Sequence, residues 1–221
     1  MAVTLLSYAV FELCRETVER VSEEDFLFRE KRKQGLERTV QSGKELTGMA
    51  DKIQIKAQHL STIDFSPYGQ VLDYESSETK VVPDHNVIVT PGVGTPEITE
   101  GHLDLIHLRV IRREFYGKIL ERHVKTSQAF IPLLGCTGLF LLAPPDDLEN
   151  KNALPDLDKV IAVIFDGTKG INLKRGTWHS SPFAVSEVSD YIMVSRAGTL
   201  GDDLYVVDMP EAMDRYFEIV L

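Results

Sequence analysis

Hydrophobic and polar residues follow a helical pattern at the beginning of the chain. Within residues 1–48 the apolar side chains recur at helical spacing, as in Leu5, Leu6, Ala9, Val10 and Leu13. Charges of both signs alternate densely from Arg15 to Lys33, which is typical of a solvated helix face and, alternatively, of a helix that docks a partner. This segment contains no proline, whereas all ten prolines lie between Pro67 and Pro210. The pattern predicts an N-terminal helical extension over residues 1–48.

From residue 49 onward the pattern is that of β-structure. Residues 53–57 alternate apolar and polar positions with a period of two, as a half-buried strand does. Further short apolar runs, separated by proline and glycine turn signals, lie at 87–89, 105–110, 128–132, 139–142, 160–165 and 191–194. Many short strands at this spacing predict a mainly β domain over residues 49–221, built as a sandwich or barrel.

Composition and charge narrow the class of protein. The chain has 221 residues, of which 43% are hydrophobic and 26% charged, as in an ordinary globular domain. A formal net charge of −10 argues against nucleic-acid and anionic-membrane partners, but it leaves room for a local cationic pocket that binds a small anionic metabolite. No apolar run is long enough to span a bilayer, and the first residues lack a basic segment, so we expect a cytoplasmic protein.

Several common catalytic signatures are missing from the sequence. The two cysteines, Cys14 and Cys136, show no metal-binding or redox spacing, and two free thiols are a simpler interpretation than a disulfide. Residues 92–95 lack the third glycine of a dinucleotide-binding loop, and no nucleophile elbow or zinc-protease helix occurs. We therefore expect no organic cofactor.

One segment has the spacing of a metal site. Small metal-binding β-barrels of the cupin type carry His-x-His, four residues, Glu, six residues and Gly. In this chain Glu121 stands at the first His position and His123 at the second. Gln128 stands at the Glu position, and Gly135 completes the pattern. Residues two apart on a strand project to the same face, so Glu121 and His123 are predicted to face the barrel interior together.

A second segment fits the other half of that pattern. Gly176-Thr-Trp-His179 matches the glycine and the fourth ligand position of the cupin motif. Glu121, His123, Gln128 and His179 would then form a ligand set for a divalent cation such as Ni²⁺, Mn²⁺, Zn²⁺ or Fe²⁺. The alternative is a barrel that has lost its metal and binds its ligand through hydrogen bonds.

Three residues near His179 are candidate substrate contacts. Of the neighbours Lys174 and Arg175, one is expected to face the pocket and hold a carboxylate, while the other points to solvent. Trp178, the only tryptophan, is either a core residue or a pocket wall.

These motifs resemble those of the ureidoglycolate lyase family, formerly called ureidoglycolate hydrolase. The matching stretches, which together span about residues 53–210, are 65–71, 120–123, 127–132, 151–157, 170–172 and 176–179. The resemblance implies a cupin-like, jelly-roll β-barrel, a homodimer, and cleavage of ureidoglycolate into glyoxylate and urea during allantoin and purine breakdown. It also makes Asn172 a candidate substrate-binding residue beside Gln128, Lys174, Arg175 and Trp178.

The implied reaction assigns roles to the candidate residues. A metal held by the four ligands would chelate the substrate carboxylate and hydroxyl and lower the hydroxyl pKa. Without a metal, His123 or Glu121 could act as the base and His179 as the acid, and Lys174 would balance the carboxylate. The sequence departs from the family at Ile161, where an Arg is common, and in one extra residue before Pro182. The alternatives are a cupin enzyme for another small 2-hydroxy carboxylate and a non-catalytic cupin that binds a ligand.

Overall fold

The computed structural model describes residues 50–73, 75, 80–82 and 87–221. The helical extension predicted for residues 1–48 lies outside these residues, so the extension and its boundary stay predictions. Within the described part of the chain, no helix combines the length and apolar character needed to cross a membrane.

Sixteen strands and two short helices make up the described part of the chain. The strands are β1 Asp51–His59, β2 Gly69–Leu72, β3 Lys80–Val82, β4 Val87–Val89, β5 Leu103–Ile111, β6 Tyr116–Gly117, β7 Ile119–Arg122, β8 Gln128–Pro132, β9 Gly138–Ala143, β10 Ile161–Phe165, β11 Gly170–Leu173, β12 Trp178–His179, β13 Phe183–Ala184, β14 Val188–Arg196, β15 Tyr205–Asp208 and β16 Arg215–Val220. The helices are α1 Thr199–Asp202 and α2 Met209–Met213, and single 3₁₀ turns form at Leu60–Thr62 and Leu157–Lys159.

The strands form two large sheets. One has the order β15-β7-β12-β9-β10-β1-β16-β6, with β13 also paired to β9, and the other has the order β2-β11-β8-β14-β5. Most neighbours are antiparallel, whereas β1 runs parallel to both β10 and β16. The two curled sheets make a mainly β, cupin-like barrel, as the sequence predicts.

Two apolar cores lie on the two faces of the larger sheet. Along β9, Phe140 and Leu142 face the barrel interior, where they pack with Phe130 and Tyr191 from the smaller sheet. The residues that alternate with them face the other side and join a second cluster that contains Leu139, Leu141, Trp178, Phe183 and Phe217. Because side chains alternate along a strand, β9 and β10 divide their residues between the two cores. This division decides which residues can reach the site.

The clearest periodic runs are confirmed as strands. Those predicted at 53–57, 87–89, 105–110, 128–132, 139–142 and 191–194 lie within β1, β4, β5, β8, β9 and β14, and the one at 160–165 matches β10 except for its first residue. A loop connects β9 to the 3₁₀ turn at Leu157. The apolar runs do not mark β15 and β16, which are four and six residues long and carry mixed polar and apolar side chains.

Candidate metal and active site

Two neighbouring strands bring the three strongest candidate residues together. Glu121 on β7 pairs directly with His179 on β12, and His123 follows immediately after β7 on the same face as Glu121. Glu121, His123 and His179 each offer a ligand atom, and these three atoms lie within 4.8 Å of one another. The two imidazole ring centroids are 5.5 Å apart, and Nε2 of His179 lies 3.5 Å from Oε1 of Glu121. We call these residues the triad.

Backbone carbonyl groups fix the tautomer of both histidines. Nδ1 of His123 lies 2.7 Å from the carbonyl oxygen of Asp203, and Nδ1 of His179 lies 2.9 Å from that of Thr177. A carbonyl oxygen only accepts hydrogen bonds, so each Nδ1 carries the proton and donates it. Each Nε2 then presents a lone pair to the interior, where it is buried and has no hydrogen-bond partner among the described residues.

The electrostatics of the triad favour one anion beside neutral imidazole. Burial lowers the pKa of His123 to about 4. The neighbouring His179 lowers this pKa as well, whereas the hydrogen bond to Asp203 raises it. Burial alone would raise the pKa of Glu121, but contact with His179 and the charge of His123 outweigh it, so this pKa lies below its ordinary value of 4.5. Glu121 is therefore a carboxylate at neutral pH.

This donor set fits a divalent cation. Two imidazole lone pairs and a carboxylate meet in a buried space with no proton between them, an arrangement that a positive ion would stabilise. Imidazole and carboxylate are ligands for Zn²⁺, Mn²⁺, Fe²⁺ and Ni²⁺, and a histidine ligand normally donates its other N–H to a carbonyl or carboxylate. Both histidines already make that outer bond. The triad thus forms a possible metal site, whose metal the structure does not identify.

Gln128 faces the same interior as the triad. It begins β8 two residues before Phe130, whose ring centroid is 6.4 Å from that of His179. Its side-chain oxygen is buried and unpartnered among the described residues. The hydroxyl of Ser195 on β14 is likewise buried and without a partner there. Val194 pairs with Ala129, and the same register continued by one residue sets Ser195 beside Gln128 on the interior face.

Lys174 and Arg175 point in different directions, as the alternation predicts. The Lys174 side chain is exposed, and its ammonium group donates to the backbone carbonyl of Ser66 at 2.6 Å. Arg175 is half-buried, and its Nε donates at 2.7 Å to the carbonyl of Val124, the residue after His123. The Lys174 ammonium group therefore points toward Ser66, while the Arg175 side chain lies beside the residue that follows His123.

Trp178 lies on the opposite side of the sheet from the triad. It alternates with His179 on β12, belongs to the second core, and donates from Nε1 to Asp146 at 3.2 Å. The fully buried Arg122, which alternates with Glu121 and His123, stacks its guanidinium 4.7 Å from the centre of this indole. The indole therefore lies in the second core, one of the two positions that the sequence left open.

Asn172 is also placed away from the triad. It pairs with Ala129, whereas its interior-facing neighbour Leu173 pairs with Gln128. Its amide nitrogen donates to Gln70 at 3.0 Å and to the carbonyl of Thr95 at 3.1 Å, on the outer face of the smaller sheet. The Asn172 side chain thus bridges β2 and the segment before β5.

Ile161 forms part of the interior wall near the triad. It pairs with Leu142, which in turn pairs with His179 on its other side, and it packs against the interior core. An apolar side chain therefore occupies the position at which, by the family resemblance, an arginine is common.

Sequence reasoning missed the residues that support His123. Asp203 follows α1 and is completely buried, and Thr199 at the beginning of α1 places its hydroxyl 3.4 Å from Nδ1 of His123. Both lie more than 75 residues beyond His123 in an unremarkable polar stretch, and no local spacing marks them.

Comparisons with known proteins agree with this site. A profile of the ureidoglycolate lyase family matches residues 52–214, and the chain therefore belongs to that family. A ureidoglycolate lyase of Pseudomonas paraeruginosa is 29% identical over 150 residues, which cover 66% of this chain and 85% of that protein. One of Burkholderia mallei is 28% identical over 163 residues, covering 72% of this chain and 91% of that protein.

Solved structures add little to the family assignment. A dTDP sugar isomerase from Desulfovibrio desulfuricans covers 66% of this chain and 88% of its own, with 15% identity and a TM-score of 0.35. Family membership makes the chain an enzyme of the lyase class.

Proposed function

We propose that this protein is a ureidoglycolate lyase that splits ureidoglycolate into glyoxylate and urea, a step of allantoin breakdown. The observation that carries the proposal is the triad: one ionised carboxylate and two imidazole lone pairs converge inside the barrel of a chain that belongs to this family. The buried geometry of the triad supports the proposal independently of sequence similarity.

The reaction needs one proton to move from oxygen to nitrogen. The C2 hydroxyl loses its proton, its electron pair forms the carbonyl of glyoxylate, the C2–N bond breaks, and the leaving nitrogen takes a proton to give urea. Glu121 is the anionic group in the interior and can accept the hydroxyl proton and return it to nitrogen. Nε2 of His179 lies 3.5 Å from Oε1 of Glu121, where its lone pair can take that proton from Glu121 and pass it on.

Glu121, His123 and His179 would hold the cation, with the Gln128 oxygen as a further donor. When bound, a divalent cation would supply a Lewis acid for the substrate carboxylate and hydroxyl and would lower the hydroxyl pKa. A carboxylate has two oxygens, so Glu121 can offer one to a cation and still accept a proton on the other.

The remaining polar groups suit the two ends of the substrate. Among the described residues, Arg175 donates a hydrogen bond only from Nε, to the carbonyl of Val124. Its two terminal amino groups are therefore available to bind the substrate carboxylate. Gln128 and Ser195 are neutral, buried and unpartnered in that same set, and they suit the uncharged ureido group. A site that hydrogen-bonds such a group discriminates strongly against analogues that lack it.

The test is product formation from racemic ureidoglycolate, with glyoxylate and urea measured separately. Wild-type protein is assayed after chelator treatment and again after adding Ni²⁺, Mn²⁺ or Zn²⁺. We expect activity that depends on the cation, and we expect Glu121→Gln, His123→Ala and His179→Ala each to lower kcat/KM by about a hundredfold or more.

His59→Ala is the matched control, because His59 is exposed at the end of β1, where its Nδ1 lies 2.8 Å from the hydroxyl of Ser61. Activity without any cation would assign the acid and base roles to His179 and Glu121 directly. Absence of both products under every condition would overturn the proposal and favour another 2-hydroxy carboxylate as substrate, or ligand binding without catalysis.

We also propose that two copies associate through the outer face of the smaller sheet. Leu103, Leu105 and Ile111 on the edge strand β5 are 41%, 71% and 67% exposed, and Ile131 on β8 is 41% exposed. A row of exposed apolar side chains on a sheet face favours a protein contact. The homodimer and the cytoplasmic location both remain predictions from the sequence.

A further inference from the structure

The side chain of Asp203 is a buried carboxylate that the proposed reaction does not use. It is 0% exposed, in the residue directly after α1. Oδ1 accepts the backbone N–H of Val124 at 2.9 Å, and Oδ2 accepts that of Lys125 at 2.8 Å. The hydroxyl of Thr199 lies 3.4 Å from Oδ2. A buried carboxylate is costly unless hydrogen bonds satisfy it, and here two backbone N–H groups do so.

Both N–H groups belong to the residues that follow His123 directly. The carboxylate of Asp203 therefore holds the start of the turn that connects β7 to β8. The same residue also touches the ring of His123, because its own backbone carbonyl accepts the Nδ1 proton at 2.7 Å. Asp203 thus holds His123 through two kinds of contact. Its side chain accepts hydrogen bonds from the backbone that follows His123, and its backbone carbonyl accepts one from the imidazole.

We propose that Asp203 is a positioning residue that sets the orientation and tautomer of His123, so that Nε2 presents its lone pair to Glu121 and His179. This inference rests on the proposed function, since it concerns the use of the triad as ligands. Without the anchor, the carbonyl of Asp203 is free to move away from Nδ1. The imidazole can then rotate or place its proton on Nε2, which removes the lone pair that a cation needs.

The nearby acidic residues provide a matched control. Asp202 precedes Asp203 in the chain, is exposed, and pairs with the side chains of Arg196 and Lys125. Asp203→Asn and Asp202→Asn make the same chemical change at neighbouring positions. Only Asp203→Asn turns one acceptor oxygen into an N–H₂ group that faces a backbone donor.

The experiment uses the full chain and Zn²⁺ as the probe, with affinity measured by isothermal titration calorimetry. The second measurement is the tautomer of His123 in the metal-free protein, read from ¹⁵N chemical shifts of the imidazole. We expect Asp203→Asn to weaken Zn²⁺ binding by about 10–100-fold and to shift His123 away from the Nδ1–H form. Asp202→Asn should match wild type in both.

A loss of affinity with an unchanged tautomer and ring position would reduce Asp203 to a structural role and overturn the inference, as would unchanged values in both measurements. If Asp203→Asn does not fold, Thr199→Val carries the same measurements with a smaller expected effect. It removes only the hydroxyl that contacts both Asp203 and the His123 ring. Failure of the wild-type protein to bind Zn²⁺ or cleave ureidoglycolate would count against the proposed function, while the tautomer would still decide the role of Asp203.

Discussion

Side chains in residues 120–123 point alternately to the candidate site and to the second core. Glu121 and His123 face the interior site, while Leu120 and Arg122 face the second core behind the sheet. The same division on β12 sends His179 inward and Trp178 outward. At this scale the sequence predicted the triad because residues two apart on a strand must share a face.

Residue spacing alone does not reveal where the side chains of the other residues discussed at the site lie. The face that Asn172 presents depends on its pairing with Ala129, which the chain sets more than 40 residues away. Lys174 follows the end of β11, where its side chain turns out to Ser66. The role of Asp203 depends on a contact across 80 residues. Local periodicity therefore predicts which side chains share a face of one strand, but it does not predict which strands pair.

Arg122 should be a stability residue rather than a catalytic one. Its guanidinium is fully buried, pairs with Asp146 and bonds the carbonyl of Asp147 at 3.2 Å. We expect Arg122→Met to lower the free energy of unfolding by about 2–3 kcal/mol, because it removes charged hydrogen bonds and leaves Asp146 without its partner.

Urea denaturation measures this change. Arg215→Met is the control, since Arg215 pairs with Asp51 at the surface and such pairs contribute less than about 1 kcal/mol. Equal losses in the two variants would contradict the buried role of Arg122.

At the scale of elements, the turn between β11 and β12 sets the position of His179. Gly176 adopts φ = +78°, and its N–H donates to the carbonyl of His123 at 2.6 Å. A Cβ at this position would come within 2.1 Å of Leu148 Cδ2 and 3.3 Å of Pro145 Cβ. The glycine of the second motif is thus needed for both backbone angle and space.

Gly176→Ala is expected to lower the free energy of unfolding by about 2 kcal/mol or more, because a positive φ alone costs roughly 1–2 kcal/mol and the loop at Leu148 must also shift. Gly92→Ala tests the angle alone, since Gly92 has φ = +76° and nothing within 4 Å of the added atom. Thermal unfolding followed by circular dichroism compares the two. A smaller loss at Gly176 than at Gly92 would contradict the steric argument.

Strands with a clear apolar pattern were predictable, and strands without one were not. β1 has nine residues, whose alternation at 53–57 shows a period of two, and β14 contains the apolar run at 191–194. β12 has two residues and is held in place by its neighbours β7 and β9. A strand this short is stabilised by pairing with its neighbours, and it is too short to show a periodic pattern in the sequence.

At the scale of the whole molecule, the exposed face of the smaller sheet should control association. We expect sedimentation velocity to show a dimer for wild-type protein and a monomer for Leu105→Asp, because a carboxylate at this 71% exposed position would be buried in the contact. Leu154→Asp is the control, since Leu154 is 49% exposed in a loop away from that face. A wild-type monomer, or a dimer that survives Leu105→Asp, would contradict the proposed contact.

The chain has a single tryptophan, and its neighbour in sequence is His179. Its indole is buried on the far side of the sheet, close to the guanidinium of Arg122. Intrinsic tryptophan fluorescence therefore reports on β12 and on the groups that contact the indole, Arg122 and Asp146. A cation or substrate at the triad would lie on the other side of the sheet, so a change in emission on titration would measure movement of β12 or of these two neighbours.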